Sequence, residues 1–167
     1  LYELKTIMTP TKTKTTTKKV KLPPNPFIHE VFELACKQRS KAKKVEILQE
    51  YGNDALKTLF IWNFDDTVIS MVPEGEVPYK ENEVPVGTDH TSLRREYKHL
   101  YNFVKGGNDN LSSLRRETMF IQILEGLHPE EAKILCLVKD KSLQTKYKIT
   151  YDIVKESFPD IQWGGRS

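Results

Sequence analysis

The stretch Phe64-Asp65-Asp66-Thr67-Val68-Ile69-Ser70-Met71-Val72-Pro73-Glu74-Gly75-Glu76-Val77-Pro78-Tyr79, continued by Lys80-Glu81-Asn82-Glu83-Val84-Pro85-Val86-Gly87-Thr88, reads as neither helix nor strand. Three prolines and two glycines interrupt it. Val68, Ile69, Met71, Val72, Val77, Tyr79, Val84 and Val86 nevertheless keep apolar residues running through it. Disordered connections have few such anchors, and a long structureless connection inside a compact domain is uncommon unless it is functional. The expectation is an ordered, extended segment laid across a body of helices.

Both flanks read as helical. Asn25 and Pro26 offer a cap and a first-turn proline to a helix with Phe27, Ile28, Val31, Leu34 and Ala35 at helical spacing. Ser40 is the expected N-cap of a second helix, with Ala42, Val45, Ile47 and Leu48 on one side and a stop near Gly52. Asn53 or Asp54 caps a third, carrying Leu56, Leu59, Phe60 and Trp62. Beyond the segment, Thr88 or Asp89 begins a fourth helix whose stripe is Leu93, Tyr97, Leu100, Tyr101 and Val104. Gly106-Gly107 ends it. A fifth, over residues 110–127, is apolar almost all round at Met119-Phe120-Ile121-Gln122-Ile123-Leu124, which predicts a central buried helix. His128-Pro129-Glu130-Glu131 opens a sixth, with the proline setting the first turn and two carboxylates at the positive end of the helix dipole. Ile134, Leu135, Leu137 and Val138 form its buried side, and a last helix spans residues 150–157. The expected fold class is all-α: a compact bundle of six or seven short helices with one long extended segment in the middle.

The 167 residues suit one domain with tails: a flexible basic Thr/Lys arm over 1–26, a helical domain over 27–160 and a C-terminal tail over 161–167. Met8 reads as a natural initiator, so residues 1–7 are expected to be an artefact and carry no weight in the fold. Residues 1–26 hold six lysines against Glu3, leaving 20 basic and 22 acidic side chains in the rest, so the overall +3 belongs to the arm. The body itself has no bulk electrostatic case for nucleic acid. No run of apolar residues is long enough to cross a membrane, no membrane partner is expected, and no signal peptide is read. Cys36 and Cys136 each sit in an apolar helical pattern and read as reduced structural thiols of a cytoplasmic protein.

No catalytic constellation stands out. Asp65 and Asp66 with Glu74 and Glu76 offer a carboxylate set for a small metal-dependent nuclease, but adjacent aspartates after a helix are more often turn formers. His90 and His99 lie nine apart and point to different sides of a helix, and His128 reads as a helix-start residue. Lys105-Gly106-Gly107 lacks the spacing of a phosphate loop. Neither a metal nor a cofactor is expected. Arg94, Arg95 and Lys98, with Arg115 and Arg116, have no acidic residue three or four positions away, and read as a patch for phosphates or an acidic protein.

The runs His29-Glu30-Val31-Phe32-Glu33, Val72-Pro73-Glu74-Gly75, Phe103-Val104-Lys105-Gly106-Gly107, Arg115-Arg116-Glu117-Thr118-Met119-Phe120-Ile121, Leu124-Glu125-Gly126-Leu127-His128-Pro129-Glu130-Glu131-Ala132 and Lys139-Asp140-Lys141 form a recognisable combination. The chain resembles, over residues 27–160, a family of small uncharacterised proteins encoded by T4-like tailed phages, including phages of marine bacteria. The resemblance carries no activity with it. It implies expression in the cytoplasm of an infected bacterium. The function expected is an accessory interaction protein that docks on a phage or host protein, with Val77, Tyr79 and Val86 of the segment and the basic pairs as binding residues. The alternatives are a nucleic-acid-associated protein using the lysine arm and arginine pairs, the small nuclease, and a minor virion component.

Overall fold

Four helices begin where a short polar side chain turns back on its own backbone. Ser40 Oγ accepts the Lys43 amide, Asn53 Oδ1 that of Leu56, Ser112 Oγ that of Arg115 and Thr150 Oγ1 that of Ile153. Each bond satisfies a donor that the first turn leaves unpaired. The computed structural model describes residues 21–85 and 90–166. Among these the chain forms eight α-helices: α1 (Ile28–Lys37), α2 (Lys41–Glu50), α3 (Asp54–Phe64), α4 (Leu93–Glu96), α5 (Ser113–Gly126), α6 (Pro129–Lys139), α7 (Leu143–Tyr147) and α8 (Tyr151–Ser157). A 3-10 helix, Tyr97–Phe103, follows α4 directly, and no strand is present among the described residues. The described residues form an all-α fold. Residues 1–20 of the expected basic arm, and Val86, lie outside the described residues.

The central helix is α6, not α5. Ala132, Ile134, Leu135 and Val138 are buried, and α6 packs against α1, α3, α5 and α7. The expectation for α5 was a helix covered all round. Only Arg116, Phe120 and Leu124 of α5 are buried, with Met119 and Ile123 partly covered, because α5 rests on α6 and the 3-10 helix from one side. Phe32, Phe60 and Tyr147 join α1, α3 and α7 through ring centroids 5.4 Å apart in both pairs. Phe103 meets Phe120 edge-on at 5.1 Å.

The fourth helix also departs from its expected course. The helix starts at Leu93 rather than at residue 88 or 89, and after Glu96 tightens into the 3-10 form. With three residues per turn, Tyr97, Leu100 and Phe103 share the inner side. Leu100 and Phe103 are buried, while Tyr101, placed on the inner stripe by a 3.6-residue period, is 52% exposed. In α1 the N-cap is Phe27, two residues later than the expected cap at Asn25, and Glu30 Oε1 accepts the Phe27 amide at 2.9 Å. The short α7 was not expected at all; Lys148, in the left-handed region at φ 54°, ends it.

Both ends of the described chain are tied to this body. Leu22 packs on the core and its amide donates to the Tyr51 hydroxyl at 3.1 Å. At the other end Ile161 and Trp163 pack on the core. The Gly164 amide and Arg166 Nη1 donate to Asp65 Oδ2 at 2.9 and 2.7 Å.

Candidate docking face and its supports

Between α3 and α4, residues 65–85 and 90–92 form neither helix nor strand, apart from isolated bridges pairing Ser70 with Val104 and Thr91 with Leu127. Around the first bridge successive side chains alternate sides. Val68 and Val72 are buried, whereas Ile69 is 43% and Met71 38% exposed. Main-chain bonds hold this register: Met71 N donates to Phe103 O at 2.7 Å and Lys105 N to Ile69 O at 2.9 Å. Ser70 Oγ accepts from Trp62 Nε1 at 2.8 Å and donates to Lys139 O at 2.6 Å, tying α3, the segment and the end of α6 together.

Lys139-Asp140-Lys141, at the end of α6, fastens the segment at two more places. The Lys139 side chain is fully buried, and its ammonium donates to Pro73 O (2.9 Å), Gly75 O (2.7 Å) and Asp140 Oδ1 (2.7 Å). Asp140 Oδ2 in turn accepts the Gly75 amide. Lys141 Nζ donates to Trp62 O and Asp65 O, placing a cation at the negative end of α3. Burial lowers the Lys141 pKa from its ordinary value, against the opposite pull of Asp65 and Asp66.

Asp65 is engaged rather than free for chemistry. Thr67 donates to Oδ1 through both amide and hydroxyl, and Gly164 and Arg166 donate to Oδ2. Burial raises its pKa, but these bonds outweigh burial and hold it at about 2. Among the described residues no three His, Cys, Asp or Glu side chains form a set that could hold a metal ion. Cys36 and Cys136 are free, half-buried thiols, and burial pushes the Cys136 pKa up to about 11.

The basic residues separate into two kinds. Arg95, Lys98 and Arg115 are exposed, and Arg94 is half-buried with Nη2 3.5 Å from Asn25 Oδ1. Arg116 is only 3% exposed. It donates to Asn102 O, Asn108 O and Leu111 O at 2.9–3.0 Å, stapling the loop between the 3-10 helix and α5. It therefore forms no part of a surface patch. Val77 and Tyr79 are half-buried and pack against the core. Burial pushes the Tyr79 phenol up to about 12, with Cys136, Glu81 and Glu130 acting in the same direction.

Three features went unread in the sequence because their partners lie far along the chain. The groove beside the segment is lined by Ile61, Trp62, Val68, Tyr97, Lys98, Tyr101 and Val104. Glu131, fully buried, accepts the first amides of both α1 and α4: Ile28 N at 2.8 Å and Leu93 N at 2.9 Å. Burial raises its pKa above the usual glutamate value despite those two donors. Finally, His29, His90 and His128 converge. The His128 ring lies 4.6 Å from that of His29 and 5.6 Å from that of His90, with Phe27 5.1 Å away on the same cluster. His128 Nδ1 accepts the Glu130 amide and so caps α6, while the buried Nδ1 atoms of His29 and His90 have no hydrogen-bond partner.

No curated protein and no solved structure matches this chain. A family described as Family of unknown function (DUF6433) matches residues 31–145, which run from within α1 to within α7 and include the segment and the lysine pins. That span is well over half of the sequence, and the chain belongs to this family of unknown function.

Proposed function

We propose that this chain is an accessory interaction protein of a phage-infected bacterial cytoplasm, docking on a phage or host protein assembly through the segment between α3 and α4. One observation carries the reading: Ile69 and Met71 are held out into solvent by a backbone that bridges Val104 and is bonded at Phe103, Lys105 and Lys139. A backbone already fixed needs no ordering on contact, which removes the loop part of the entropic cost of binding. Tyr101, 52% exposed, is a further large apolar side chain on the surface. The phage setting rests on the resemblance of residues 27–160 to proteins of T4-like tailed phages.

Affinity purification from infected cells tests the reading. Full-length protein retains a defined partner that the double variant Ile69→Asp with Met71→Asp releases, the variant keeping the wild-type circular dichroism. Identical retention by wild type and variant overturns it. Salt-sensitive retention of nucleic acid, unaffected by the double variant, favours the nucleic-acid reading instead.

A further inference from the structure

We infer that the groove between α3 and the 3-10 helix seats one apolar side chain of a partner polypeptide whose adjacent residues are acidic, a deepening that rests on the docking reading above. The groove has a volume of about 270 Å³. That lies at the small end of the ~300–1,000 Å³ common for ligand sites and suits a single bulky anchor. Trp62 is buried at its base, and its indole is held by Ser70, itself bonded to Lys139 O, so the base is fixed before anything binds. Tyr97 and Tyr101 supply aromatic walls of the kind enriched where interfaces concentrate their energy.

The charges on the lining choose the partner's flanks. Among the described residues, Lys98 and Arg166 are the only ionisable groups on the lining besides the tyrosines, and no carboxylate lines it. Arg166 is engaged by Asp65, but Lys98 is exposed and has no ion pair among the described residues. Neither the Tyr97 nor the Tyr101 hydroxyl is hydrogen-bonded among the described residues, so both can donate to a carboxylate. A cation and two phenols around an apolar well match an aromatic or branched aliphatic residue followed by Asp or Glu. A nucleic-acid strand fits less well, since it needs a continuous track of positive charge. The residues after 26 carry 20 basic against 22 acidic groups.

Selection from a random peptide display library against the full chain provides the test. The enriched peptides should share one aromatic or branched aliphatic residue next to Asp or Glu. A fluorescein-labelled copy of the best one should bind Tyr101→Ala about tenfold or more weakly, the loss of roughly one hot-spot contact. Lys98→Glu should also weaken it, and should recover binding when the peptide's acids are changed to lysine. Both side chains are exposed, so circular dichroism should show intact variants. Peptides that bind both variants as tightly as wild type overturn the groove. So does a labelled oligothymidylate whose binding depends on Tyr101. If selected peptides respond to Ile69→Asp and Met71→Asp but not to the groove variants, the groove inference fails and the docking face stands. If no peptide is selected and infected-cell purification also shows no difference, both fail.

Discussion

The Glu131 carboxylate lies 2.8 Å from the Ile28 amide, joining the first turn of α6 to the start of α1 across 103 residues, and its other oxygen holds the Leu93 amide at the start of α4. One buried side chain thus closes two helix N-termini, where the unpaired N–H groups and the dipole favour a carboxylate. Glu131→Ala leaves both amides buried and unpaired, at roughly 1–3 kcal/mol each. A loss of about 2–5 kcal/mol is expected in urea unfolding, read as a lower midpoint with little change in slope. A loss under about 1 kcal/mol would show that water replaces the carboxylate.

Lys139→Met keeps the apolar stem and removes the ammonium, stranding Pro73 O, Gly75 O and Asp140. Hydrogen exchange should accelerate at Gly75, whose amide depends on Asp140, while the amides of α1 and α3 stay protected. Unchanged exchange at Gly75 would mean that the segment is held without the lysine.

Arg116 and Lys98 should behave oppositely. Arg116→Leu leaves three carbonyl oxygens, in the 104–112 loop and at the end of the 3-10 helix, without a donor and should cost about 2–4 kcal/mol of stability. Lys98→Ala, on an exposed side chain, should stay within about 0.5 kcal/mol of wild type. Thermal unfolding of the two variants side by side measures the contrast.

The histidine cluster makes stability fall with acidification. Burial lowers the pKa of His29 below 6.5, against the raising influence of Glu33, Glu30 and Glu130 and with that of Lys146. Burial likewise lowers that of His128, reinforced by His29 and His90 and opposed by Glu130 and Glu30. With the folded pKa depressed, the unfolded chain takes up protons first as pH falls through about 6.5. The cluster's contribution is therefore complete above that pH and is lost down to the folded-state values. His128→Asn keeps a good N-cap without a titrating ring. Between pH 7.5 and 5.5, wild type should lose more stability in urea unfolding than this variant. Equal losses would remove the cluster as the source.

Gly106 and Gly107 are structural, each for its own reason. Gly106 has φ 89°, in the left-handed region that favours glycine. At Gly107 an added Cβ would fall on the carbonyl oxygen of Tyr101, a backbone atom that cannot swing aside. Gly107→Ala should cost about 1–3 kcal/mol, and amide chemical shifts should move across residues 101–108.

Much of the helical layout was legible because it is written locally. Ser40 and Asn53 bond amides three residues on, and Pro129 with Glu130 and Glu131 marks the start of α6. Interactions of that range depend on neighbours in the chain, which a sequence displays. The stripe through Tyr97 and Tyr101 misled because 3.6- and 3.0-residue periods differ little over one turn, and packing of Leu100 and Phe103 against the core selected the tighter winding.

The chain's own order of residues determined that it is helical, where most helices start, and that the stretch after Phe64 stands apart from them. Only folding in three dimensions decided what the charged residues do. Glu131, Lys139 and Asp65 acquire partners up to 103 residues away, and Arg116 turns inward although its neighbour Arg115 faces water. A buried charge is tolerated where donors or acceptors replace its water. Those replacements come from other elements, so no window of sequence contains them.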